Sequence, residues 1–288
     1  MPIFVIKHVT TYHYRQPVAF GEHRMMLRPR DDGDQIVLDT ELAIAPTPCR
    51  LSWTRDDLGN HVATAEFDNR AAELRFESTI RLDHAAMNFA AADIADHARV
   101  FPFACDTDHP PVAPPAPAHP RVQSWAEGFL RADGTTDTYG LLVGMTQTIK
   151  TKFKHAARHQ KGIQTPEYTL KVASGSCRDH ALLMIAALSH LGFAARFVSG
   201  YLYLPSDDDG EEAVLDGGNT HAWAQVYVPG PGWVDFDPAS GTVGNQNLVR
   251  VAVVNDPRHA IPLSGSWFGR SADQIAMKVA VRVAAASA

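Results

Sequence analysis

Hydrophobic and polar positions alternate through much of the first hundred residues. Leu74, Phe76, Ile80 and Leu82 are interleaved with Arg75, Glu77, Thr79 and Arg81. That period of two gives a strand one dry face and one wet face. Leu38, Leu42 and Ile44 repeat the pattern around Asp39 and Glu41, and Ala63, Ala65 and Phe67 repeat it again. Between Trp53 and His61, the run Arg55-Asp56-Asp57-Leu58-Gly59-Asn60 predicts a turn joining two strands. Short strands with polar turns predict a β-sandwich over residues 1–108. The segment 109–120, HPPVAPPAPAHP, is too rich in proline for a helix or a central strand. It reads as an extended surface linker.

Beyond the linker the period changes, and residues 121–288 read as an α+β domain. Val122, Trp125, Phe129 and Leu130 fit one helical face, and Tyr139 to Lys154 predicts a second helix built on Leu141, Leu142, Met145 and Ile149. Thr165-Pro166-Glu167 has the form of an N-cap with proline at the first helical position. A further helix is predicted from near Ser176 to a stop at Gly192. It is apolar nearly all round beyond its first turn, so burial on most sides is expected. A strand follows at Ala195–Leu204, then an acidic loop, then a hairpin of Asn219–Val228 and Trp233–Pro238 around Pro229-Gly230-Pro231-Gly232.

Composition narrows the function classes. The chain has 288 residues, 45% hydrophobic and 20% charged, which suits a globular protein with a sizeable core. A net charge of −6 speaks against nucleic acid as the main partner. No apolar run approaches the ~18 residues of a membrane span, and the N-terminus lacks a signal-like apolar core. A cytoplasmic, reduced protein is therefore expected. Cys49, Cys105 and Cys177 are widely spaced and odd in number, unlike a disulfide framework or a zinc cluster. No nucleophile elbow, phosphate loop or zinc-protease helix is present.

Among the cysteines, Cys177 stands apart. In the first turn of a central helix, unpaired amides and the helix dipole stabilise a thiolate and can donate to an oxyanion. Cys49 and Cys105 are expected to be buried small hydrophobes. On the hairpin, His221, Trp223, Gln225 and Tyr227 share one face. If Tyr227 lies opposite Trp233, then Trp223 faces Asp237, and Asp237 is a diagonal neighbour of His221. A register shifted by one residue would turn Asp237 to the other face. The chemistry thus predicts a five-residue loop, Val228 to Gly232. Cys177, His221 and Asp237 then form a thiol, a base and an orienting acid. Asp235 shares the parity of Asp237 but lies further along the hairpin, and is the weaker candidate. Trp223 could wall the cleft. Arg178 and Asp179 form either a cleft-rim pair or a local helix-start pair, and His180 is expected to be packed or solvated. The acidic loop from Ser206 to Glu212 reads as a solvated loop that could also attract basic substrates, and it lacks the ordered carboxylate pattern of an EF-hand.

The stretches GSCRDHALLMIAALSHLGFAARFVSGYLY and THAWAQVYVPGPGWVDFDP resemble the bacterial transglutaminase-like proteins. HVTTYHYRQPVAFGEHRMMLRPR and SWTRDDLGNHVATAEF are similar to that family's β-rich N-terminal domain. Beyond Arg250 the likeness thins, with Asn255-Asp256-Pro257-Arg258-His259 where the family often carries Gly-Arg-Asp-Tyr. The resemblance implies a papain-like α+β core, with Cys177 as nucleophile, His221 as base and Asp237 as acid. It implies acyl transfer on amide or peptide bonds through a thioester, resolved by water or by an amine, with hydrolysis slightly favoured. No cofactor is expected, and the expected partner is a protein or peptide substrate. The rival reading is a non-catalytic binding module that keeps the fold.

Overall fold

The computed structural model describes residues 2–103, 117–156, 162–204 and 220–286. Cys105, the proline-rich stretch up to Pro115 and the acidic loop lie outside the described residues. The chain opens with strands β1 (Ile3–Met25), β2 (Gln35–Ala45), β3 (Arg50–Arg55), β4 (His61–Glu66) and β5 (Arg70–His84). Then come β6 (Val100–Phe101), α1 (Pro120–Glu127), β7 (Thr136–Asp137), α2 (Thr138–Lys152) and β8 (Lys154–His155). The middle of the chain holds α3 (Pro166–Val172), β9 (Ser174–Gly175), α4 (Cys177–His190), β10 (Ala195–Leu202), β11 (Thr220–Val228) and β12 (Gly232–Asp237). It closes with β13 (Thr242–Val243), β14 (Leu248–Val254), β15 (Leu263–Phe268) and β16 (Gln274–Ala286). The first predicted helix stops at Glu127, two residues short of Phe129, because the chain turns at Gly128.

The N-terminal strands form an antiparallel sheet in the order β2-β5-β1-β4-β3. One half of β1 is flanked by β5 and β16, and the other pairs with β4 and β15. Leu74 and Phe76 from the first half share an apolar cluster with Ala63, Ala65 and Leu263 from the second. β15 and β16 correct the expected boundaries: residues 263–286 pair with β1 rather than completing the 121–288 domain. Long-range pairing of this kind leaves no mark in local periodicity.

The second sheet is antiparallel, in the order β13-β12-β11-β10-β14. Helix α4 packs on β10 and β11, while α1 and α3 pack on α4. Ala181, Leu183, Met184, Ala187 and Leu188 of α4 are fully buried in the main core, as its all-round apolar pattern requires. The other face of this sheet meets β1, β5 and β16 through Phe4, Ile6, Ile80, Tyr201, Val249 and Val283. Cys49 departs from expectation: it is exposed, and its thiol donates to the Glu66 carbonyl at 3.2 Å. It lies just before β3, the outermost strand of its sheet, where no second layer covers it.

At the junction between the sheets, buried His8 hydrogen-bonds the Tyr201 hydroxyl at 2.9 Å and Thr10 at 3.2 Å. Burial pushes its pKa down to about 4. Below about 6.5 the unfolded imidazole takes a proton that the folded one refuses, so stability present at pH 7 is lost as pH falls towards 4. From pH 7 to pH 5 this amounts to about 2 kcal/mol for His8. His8→Gln keeps a polar partner for Tyr201 without the titration. Its loss of denaturant stability between those pH values should be smaller than that of the wild type by about that amount. Equal acid sensitivity in both proteins would refute the assignment.

Candidate active site

The position of Cys177, the candidate nucleophile, is set by the start of α4. Ser176 is the N-cap, and the Asp179 carboxylate accepts from the Ser176 amide and hydroxyl, both at 2.8 Å. It also accepts from the Gln164 amide at 2.7 Å. A Cβ on Gly175 would stand 2.7 Å from the Asp179 Cβ, so this position must be glycine for the carboxylate to fold back. The clamp fixes Cys177 as the first helical residue. Asp179 is fully buried, which corrects its placement on a cleft rim. It belongs to the helix start, because its oxygens are directed at backbone and hydroxyl donors. Arg178 is exposed beside the thiol, and its charge favours the thiolate.

The candidate base, His221, and its candidate partner, Asp237, come from the hairpin. Tyr227 pairs with Trp233, the register that the chemistry requires. Pairing runs one rung further, to Val228 and Gly232, so the expected five-residue loop is shortened to 229–231. Val228 is fully buried, and a strand position suits it better than a loop. His221 Nε2 lies 2.8 Å from Asp237 Oδ2, which leaves Nδ1 for Cys177. Asp237 is itself fixed: it is fully buried and accepts from the Ala239 amide at 2.9 Å and the Ser240 hydroxyl at 2.5 Å. Asp-Pro-Ala-Ser is a local Asx-turn signal, so both donors were findable in the sequence.

Trp223 is fully buried, so it packs as a core aromatic of its strand and does not wall a cleft. Its ring stacks on His221 at 6.1 Å and 27°, and its Nε1 donates to Asp235 Oδ1 at 2.7 Å. A Cβ on Gly200, opposite His221 on β10, would stand 2.9 Å from this indole and 1.9 Å from the Val249 carbonyl. Glycine there seats the ring behind the base. Asp235 thus acts through Trp223 and does not touch His221.

The electrostatics follow from these contacts. Burial alone would raise the Cys177 thiol, but hydrogen bonds to His155 and His221 and the nearby positive charges hold it down to about 6. Burial would lower His221, yet Asp237 and the thiolate raise it to about 10. Asp237 is held below the ordinary carboxylate range, since the imidazolium and the two donors outweigh its burial. Between those values the pair is a thiolate beside an imidazolium.

His155 was missed in the sequence. The helix predicted over Tyr139 to Lys154 ends one residue before it, and nothing in the local pattern singles it out. It reaches the thiol because β8 pairs in parallel with β9, His155 opposite Gly175. A two-residue bridge has no periodicity to read.

Comparison with known proteins agrees with this architecture. Residues 4–83 match the bacterial transglutaminase-like N-terminal region, and residues 124–238 match the transglutaminase-like superfamily. The uncharacterized protein ML0607 of Mycobacterium leprae is 25% identical over 284 residues, spanning 96% of this chain and 97% of its own length. The uncharacterized protein Rv2569c of Mycobacterium tuberculosis is 26% identical, spanning 94% of this chain and 89% of its own. A crystal structure of a candidate cysteine protease from Cytophaga hutchinsonii superposes with a TM-score of 0.69 at 20% identity, covering 100% of this chain and 91% of that one. At that identity the likeness concerns the fold.

Proposed function

The chain belongs to the transglutaminase-like superfamily, in the form that carries the bacterial N-terminal region, and we propose that it is a cysteine enzyme transferring acyl groups from amide or peptide bonds. The observation that carries this reading is the continuous line from the Cys177 thiol through His221 to Asp237, with the thiol held low and the imidazole held high. The thiolate attacks the substrate carbonyl, and the carbonyl electron pair moves to oxygen. His221 then delivers its proton to the departing amine as the carbon–nitrogen bond breaks. Asp237 holds the imidazole in place and favours its charged form. The resulting thioester is resolved by water in the hydrolytic route, or by an amine in the crosslinking one. Its substrates on this reading are proteins or peptides, met in a reducing compartment such as the cytoplasm, where a free thiol persists.

Alkylation by iodoacetamide, followed site by site with mass spectrometry, tests the ion pair. Cys177 should pass its midpoint near pH 6 and approach its plateau above about pH 7, well below the ~8.5 of an ordinary thiol. Turnover of a peptide p-nitroanilide should rise through about 6 and fall again towards about 10, where the imidazolium loses its proton. If Cys177 instead titrates at ~8.5 or above, there is no activated nucleophile, and a binding module that keeps the fold becomes the better description. Adding a primary amine to the same assay separates the two fates of the thioester.

A further inference from the structure

We infer that His155 is a second catalytic imidazole, whose N–H stabilises the oxyanion formed when Cys177 is acylated. The inference rests on the acyl-transfer reading and assigns a group that the thiol–imidazole–carboxylate line does not use. The β8–β9 pairing sets His155 opposite Gly175, two residues before the nucleophile, and hydrogen bonding from His155 as well as from His221 favours the Cys177 thiolate. His221 is buried and committed to Asp237 through Nε2. His155 is exposed, and among the described residues no carboxylate pairs with it. It therefore lacks the orienting acid of a general base.

Its backbone is nonetheless held. The Ala156 amide donates to the Gly175 carbonyl at 2.9 Å and the Lys154 amide to the Ala173 carbonyl at 2.8 Å, which ties His155 to the residues just before the nucleophile. Behind it stands His180, fully buried, with its ring edge-on to His155 at 6.0 Å and to Phe153 at 6.1 Å. Burial and the neighbouring His155 hold His180 down to about 4, so it packs against His155 as a neutral ring.

A thiolate only accepts hydrogen bonds, so the His155 nitrogen facing it carries the proton. On attack the sulfur–carbon bond forms and the negative charge moves from sulfur to the carbonyl oxygen, about 3 Å away. A donor already within hydrogen-bond distance of the sulfur can follow the charge by a small rotation. The backbone N–H of Cys177, in the first turn of α4, supplies the other donor. Collapse expels the leaving group, which takes the His221 proton if it needs one. His155 keeps its own proton throughout.

Two probes separate this role from simple tuning of the thiol. Acylation by p-nitrophenyl acetate passes through an oxyanion, whereas alkylation by iodoacetamide does not. In His155→Phe the ratio of the acylation rate to the alkylation rate should fall about 100-fold or more. His155→Gln, which restores an N–H donor, should recover at least about ten-fold of that loss. If both rates fall in parallel, or neither changes, His155 does not serve the oxyanion and the inference is overturned, while the acyl-transfer reading stands. If p-nitrophenyl acetate does not acylate wild-type Cys177 in a His221-dependent way, both are overturned. His155→Gln is also the safeguard should the phenylalanine variant fold poorly.

Discussion

His221→Ala is expected to lower turnover of a peptide p-nitroanilide at pH 7 by about 10^4-fold. Two losses combine. With the thiol at about 6, some nine-tenths of Cys177 is thiolate at pH 7. Without the imidazolium the thiol rises towards ~8.5, and the thiolate fraction falls by up to about 30-fold. His155 still donates to the sulfur, so the rise should stop short of the ordinary value. The remaining loss of about 10^2 to 10^3 comes from the leaving amine, which no longer receives a positioned proton. Iodoacetamide alkylation should therefore drop only by the smaller factor. Equal factors for turnover and alkylation would mean that His221 merely tunes the thiol and transfers no proton.

The parts of this site that were legible in the sequence were set by local rules. Gly175-Ser176-Cys177 opens a helix whose apolar run leaves no other reading, and the Cys177 position follows from capping alone. The hairpin register could be chosen because a shift of one residue would separate Asp237 from His221. What could not be read depends on chain segments far apart. His155 reaches Cys177 through a two-residue parallel bridge, and β15 and β16 join β1 from the opposite end of the chain. For Trp223 and Asp179, which lie two residues beyond His221 and Cys177 in sequence, position alone leaves a cleft and a buried reading open. Both turned inward because each has a buried polar partner there, Asp235 for the indole and the Ser176 donors for the carboxylate.

The Asp235 partner extends the support of the site into the N-terminal sheet. Arg250 on β14 is almost fully buried and pairs with Asp235 at 2.9 Å. It also pairs with Asp34, just before β2, and lies 3.7 Å from Asp32. Burial would lower its pKa, but these carboxylates push it above its ordinary value. Gln35 adds to the junction, donating to the Arg250 carbonyl at 2.8 Å and accepting from its amide at 3.0 Å. A line of contacts thus runs from the N-terminal region through Arg250, Asp235 and Trp223 to His221.

Arg250→Met is accordingly expected to destabilise the protein by about 3–5 kcal/mol. The methionine roughly fills the volume, so the main cost is two carboxylates, buried Asp235 and partly buried Asp34, left without their cation. At about 2–4 °C per kcal/mol for a chain of this size, the thermal midpoint should drop by roughly 10 °C. Asp235→Asn in the same background removes one stranded charge and keeps an acceptor for the Trp223 indole. The double variant should therefore be more stable than Arg250→Met alone, a coupling that a double-mutant cycle measures directly. Turnover should respond less than stability, because Asp237 and not Asp235 holds the imidazole. A midpoint within about 2 °C of the wild type would show that the carboxylates find water or another partner once the guanidinium is gone. The junction would then be held by Phe4, Ile6, Tyr201 and Val249 with the His8 and Gln35 hydrogen bonds, the ion pairs adding nothing to it.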